Sequence, residues 1–120
     1  MLESSIAGFD PPLDLVHLAR QCLGDHELEA ELLQLFRQQA PTLTARLSGS
    51  PHLSLDAKAK IAHRLRGSAL AVGAGRVAGA AWRIEQLASA GDQSSAEARA
   101  IAALLSAVSE AVTEIDRLRG

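Results

Sequence analysis

His63 stands where an imidazole could react with something outside its own molecule. Around it, Ile61, Leu65, Ser68 and Val72 recur at the spacing of one helical face. At about 100° per residue they fall within a sector of roughly 60° and set the core side of a helix. His63 lies about 160–220° from that sector, and Ala59, Lys60, Arg66, Gly67 and Leu70 lie within about 60° of His63. An imidazole titrates near neutrality and is a nucleophile or proton carrier in its neutral form. One turn along, Gly67 interrupts the helix at a cost of about 1 kcal/mol relative to Ala. The packing pattern gives no reason for it. Its effect is to remove bulk beside the ring, so that a partner's backbone or active-site loop can come close. Ser68, on the core side of the wheel, reads as a small, hydrogen-bonded packing residue.

The charge around His63 is one-sided. Lys58, Lys60, Arg64, Arg66, Arg76 and Arg83 are the six charged residues between positions 58 and 83, with no acid among them, in a chain of net charge −2. A positive helix in a net-negative chain suits an anionic group or an acidic partner pocket. Leu70 adds an apolar contact on the same exposed face. Arg76 and Arg83 share a helix face at i and i+7 and are expected to border the His63 patch; the alternative is plain solvated surface.

Ala62-His63-Arg64-Leu65-Arg66-Gly67-Ser68-Ala69, followed by Val72-Gly73-Ala74, resembles the signature of histidine-containing phosphotransfer (HPt) domains. Leu32-Leu33-Gln34-Leu35-Phe36 with Ala40-Pro41 is similar to that family's second helix, and Arg83-Ile84-Glu85 to the end of its fourth. The likeness runs over roughly residues 13 to 118. It departs from the family at Arg66, where Lys is commoner; charge is kept, but a planar fork replaces a point charge. The resemblance implies that His63 is a phosphoacceptor attacking the aspartyl phosphate of a receiver domain. Arg66 and Lys60 would neutralise phosphate charge, Gly67 would give clearance, and Ser68 would help orient the imidazole. It implies response regulator receiver domains and a hybrid sensor histidine kinase as partners, with Mg²⁺ held by the receiver. Ala59, Lys60, Arg64, Ser68, Leu70, Arg76 and Arg83 are the expected partner-binding residues. Gly73-Ala74-Gly75 lacks the Lys-Ser/Thr of a P-loop, so a phosphocarrier without kinase activity of its own is expected. A docking or dimerisation module that keeps the fold without the chemistry is the alternative.

The elements that must position His63 follow from composition. Of 120 residues, 42 are Ala or Leu and only 13 are Val, Ile or Thr, which favours helices over strands. No stretch reaches the roughly 18 apolar residues of a membrane span. Helices are predicted over 13–23, 26–48, 55–72, 76–90 and 95–118. The first has an apolar face of Leu15, Leu18, Ala19 and Cys22, with Gly24 as its C′ residue. Asp25 caps the second, which carries Leu28, Leu32, Leu35, Phe36, Leu43 and Leu47 and is expected to bend at Pro41. Gly49, Ser50 and Pro51 form the next break, and Ser54 caps the third helix. Ser94 with Glu97 reads as a capping box for the fifth. The expected fold is all-α, an antiparallel four-helix bundle with a short additional N-terminal helix, over 13–120 after a tail at 1–12.

Other residues read as structural. Cys22 is a small core residue, Trp82 a partly buried packing residue, and His17, His26 and His52 surface histidines. A metal site is not expected, since His63 points outward and no Glu-x-x-His pair occurs. Helices three and four could imitate a helix-turn-helix, but net charge and the scarcity of base-reading side chains oppose nucleic acid binding. The opening residues Met1 to Ser5 lack the basic and apolar regions of a secretion signal, so a cytoplasmic protein is expected; a bundle with a charged outer surface needs no partner to be soluble, so a monomer is expected.

Overall fold

The computed structural model describes residues 11–50 and 52–119. Most of the tail assigned to 1–12, the opening stretch read for a secretion signal, and Pro51 of the second break lie outside the described residues. The described residues form five helices: α1 (Leu15–Gln21), α2 (His26–Gly49), α3 (Leu55–Val72), α4 (Gly75–Ser89) and α5 (Ser95–Arg119). Contacts join α3 to α4, α4 to α5, α5 to α2 and α2 to α3, closing a four-helix ring, while α1 lies against α3 and α2.

Local chemistry explains the boundaries. Asp25 Oδ1 accepts from the Leu28 amide at 3.1 Å and Ser54 Oγ from the Ala57 amide at 3.1 Å, satisfying first-turn donors of α2 and α3. At the end of α1 the expected roles shift by one residue. Leu23 takes the left-handed C′ position at φ +53° and Gly24 follows at φ +79°. Their amides bond to the Arg20 and Ala19 carbonyls, the pattern of a Schellman motif. The capping box expected at α5 does not close. Ser94 Oγ accepts from the Ala96 amide, but the Glu97 carboxylate turns to Lys58 Nζ at 2.9 Å.

The core confirms the helix periods and corrects some memberships. On α3 the buried set is Lys58, Ile61, Ala62, Leu65, Ala69 and Val72. Ser68 is half-buried at its edge, because Ala62 and Ala69 extend the buried face on the other side and move its centre away from Ser68. On α2, which runs unbroken through Pro41, the buried residues are Phe36, Ala40, Leu43, Thr44 and Leu47. Leu28 and Leu35 are exposed, about a quarter-turn off that stripe. Leu15, Leu105 and Leu118 are likewise exposed, and Trp82 is almost half exposed.

The end of α3 is tied to α1. The Asp14 amide donates to the Gly73 carbonyl at 2.8 Å, and His17 Nε2 donates to the Leu70 carbonyl at 2.8 Å. His17 is therefore a clamp rather than an unengaged surface histidine. Gly73, at φ +76°, admits no side chain, since a Cβ there would stand 2.5 Å from the Asp14 carbonyl oxygen. Among the described residues no helix is long and apolar enough to cross a membrane.

Candidate functional site

α3 carries His63 on the face away from its buried stripe, with the side chain 66% exposed. The ring is nonetheless held. Its Nδ1 lies 2.9 Å from Glu85 Oε2 on α4, and the Glu85 side chain is mostly buried. Arg66 comes in from one turn along α3, with Nη2 3.3 Å from the same Nδ1. A ring nitrogen cannot donate to the carboxylate and accept from the guanidinium at once. The shorter contact, to an anion that can only accept, sets the proton on Nδ1. In the neutral ring the lone pair is then left on Nε2.

Arg66 Nε stands 3.5 Å from Glu85 Oε1. That is an ion pair without hydrogen-bond geometry, and Oε1 is buried with no hydrogen-bond partner among the described residues. Glu85 is thus a shielded anion shared by an imidazole and a guanidinium. A Cβ built at Gly67 meets nothing within 4 Å. Nothing inside the molecule requires glycine at that point of α3.

The other expected site residues divide. Ala59, Lys60, Arg64 and Leu70 share α3 with His63, and Lys60 pairs with Asp56 at 3.1 Å on the open surface. Ser68 flanks them at the edge of the core. Arg76 and Arg83 do not border His63. They sit about 160–180° around α4 from Glu85 and line a groove against α5, where Arg76 pairs with Glu110. Lys58, counted with the positive face, is instead buried against Glu97.

Glu85 is the residue that reasoning from sequence missed as part of the site. It falls two positions beyond the acid-free window, and only the antiparallel pairing of α3 with α4 brings it to His63. Burial pushes the Cys22 thiol up, with Glu29 and Asp25 adding to the effect, which keeps it protonated and inert. No cluster of three or more His, Cys, Asp or Glu side chains able to hold a metal occurs among the described residues.

Residues 31–118 match the Hpt domain family. The chain belongs to the Hpt domain family. Hpt domains are phosphotransfer modules of two-component signalling, phosphocarriers rather than kinases. The match begins within α2 of this Hpt chain, so α1 precedes it. No match was found among curated proteins or solved structures.

Proposed function

We propose that the protein is a phosphorelay intermediate in which His63 takes a phosphoryl group from the aspartyl phosphate of one receiver domain and passes it to another response regulator. The observation that carries this is the half-open imidazole, with Nδ1 engaged by Glu85 at 2.9 Å and the ring exposed on its other side. With the proton on Nδ1, the Nε2 lone pair attacks phosphorus in line. The bond from phosphorus to the aspartate oxygen breaks, and the aspartate leaves as a carboxylate with the bonding pair. The ring then carries phosphorus on Nε2 and a proton on Nδ1, and is cationic. Glu85 faces that developing charge, as a buried carboxylate supports an imidazolium in a hydrolytic triad. Attack on phosphorus by the second receiver's aspartate reverses the sequence and returns a neutral ring.

Arg66 and Lys60 are the cations within reach of the phosphoryl oxygens, and Gly67 leaves room for the receiver's loop. Ala59, Arg64, Ser68 and Leu70 frame the contact. Mg²⁺ belongs on the receiver in this scheme. The groups beside His63 are one carboxylate among nitrogen donors, which does not fit a cation that demands near-octahedral oxygen ligands. A hybrid sensor histidine kinase at the head of the pathway, a cytoplasmic location and a monomeric state complete the proposal.

The test is transfer from a panel of labelled phospho-receivers to the purified chain and to His63→Gln. Acid-labile label on His63, lost in the variant with its helicity intact, is the expected result. Receivers that bind without transferring label would overturn the proposal in favour of a docking module.

A further inference from the structure

On the flank of α4 opposite Glu85, a groove of about 460 Å³ runs between α4 and α5. Its floor is alanine alone: Ala80 from α4, and Ala96, Ala100, Ala103 and Ala107 from α5. The α5 spacing of four, three and four keeps them on one helix face. No floor side chain extends beyond Cβ, so a second backbone can approach closely. The rim is cationic, formed by Arg76, Arg83 and Arg99. Arg76 is paired with Glu110 at one end, and Asp92 lies near Arg83. Among the described residues neither Arg83 nor Arg99 makes an ion pair, so the positive charge is in excess at their end.

We infer that this groove docks an acidic amphipathic helix of a partner protein, with carboxylates meeting Arg83 and Arg99 and small apolar side chains lying on the alanine floor. Guanidinium forks bind carboxylates in bidentate fashion. Arg76 and Arg83 stand two turns apart, about 10 Å along α4, so the charge is spread for an extended partner rather than converging on one small anion. The lining holds no aromatic platform for bases and no large apolar side chain to enter a membrane. Because the groove faces away from Glu85, a helix seated there leaves His63 uncovered, and a bound partner need not compete with a receiver. This inference does not depend on phosphoryl transfer by His63.

The test uses the whole chain and a panel of fluorescein-labelled alanine–leucine helical peptides carrying glutamate pairs one or two turns apart, with lysine in place of glutamate as controls. Fluorescence anisotropy should show saturable, salt-sensitive binding of at least one acidic peptide and none of the controls. Arg83→Glu with Arg99→Glu should weaken it by about tenfold or more. Arg83→Gln with Arg99→Gln, in which no new acid is introduced, should weaken it less. Amide shift changes should map to α4 and α5. Absence of saturable binding across the panel, or affinity unchanged in both double variants, would overturn the inference. So would shifts centred on His63, or preferential binding of anionic vesicles or single-stranded DNA.

Discussion

Lys58 and His63 both project from α3 to a carboxylate on another helix, Glu97 of α5 and Glu85 of α4, and both contacts measure 2.9 Å. They differ in what is left over. The Lys58 and Glu97 side chains are 8% and 15% exposed, so the charge is enclosed on both sides. In the other pair the acid is shielded while the ring is open, so one nitrogen is engaged and the other remains available. Contact length therefore says little about role. The first pair fastens α3 to α5 across the ring of helices, and the second holds an imidazole by one nitrogen without covering the ring.

The largest effect on folding should come from breaking the enclosed pair. Lys58→Met leaves the Glu97 carboxylate buried without a partner, which costs about 3 kcal/mol. For a domain of this size that lowers the melting temperature by roughly 10 °C. Adding Glu97→Leu should recover most of the loss, because well-packed apolar residues replace a buried pair at little cost. His63→Gln, at an exposed position, should stay within about 0.5 kcal/mol of the parent. Thermal unfolding followed by circular dichroism decides this, and equal melting of Lys58→Met and His63→Gln would erase the distinction.

Next in size is the cost of freeing the ring. Glu85→Ala should slow phosphoryl transfer by roughly 10–100-fold, the usual effect of removing a group that orients a reactive imidazole. Glu85→Gln should lie between, since its amide oxygen still accepts from Nδ1 but carries no charge. A merely structural Glu85 would leave the tautomer alone. Nitrogen NMR of the labelled ring should instead show the Nδ1-protonated form losing population in Glu85→Ala.

Much of this arrangement was legible in the sequence, and what escaped shares a cause. The limits of α3, the caps at Asp25 and Ser54 and the outward direction of His63 all follow from local periodicity and side-chain chemistry, which act over a few residues. Glu85 beside His63, Glu97 beside Lys58 and His17 on the Leu70 carbonyl depend on which helices become neighbours and in what register. A window along the chain read Lys58 and Arg76 as surface charge for that reason. Glu97, reaching from α5 across the ring of helices, then claimed Lys58, and Glu110 claimed Arg76. Ser68 and Ala69 show a finer limit, since a wheel resolves faces but not which of two small neighbours meets the opposing helix.

Gly67 separates stability from function. It lies in a helix interior with open space where a Cβ would be, so Gly67→Ala should stabilise the fold by about 0.5–1 kcal/mol. Gly67→Gln should also favour the helix, by a smaller margin, yet impede transfer by placing bulk one turn from Nε2. Denaturant unfolding beside transfer rates tests both, and a Gln variant that transfers as fast as the parent would remove the steric role.

The smallest effect is electrostatic and follows from where Glu97 points. With its carboxylate committed to Lys58, the start of α5 is served by Asp92 and Ser94. Hydrogen bonds from the Ser94 hydroxyl and amide hold the Asp92 carboxyl below its usual range; burial works against this, and Arg83 adds a favourable charge. A carboxyl depressed in the folded state contributes stability that is fully present above its unfolded value, near pH 4. That contribution is lost as pH falls through the lower folded value. The gap in unfolding free energy between the parent and Asp92→Asn should therefore be constant above about pH 5 and shrink in acid. A gap that stays the same from neutral pH into acid would mean that Asp92 caps by geometry alone.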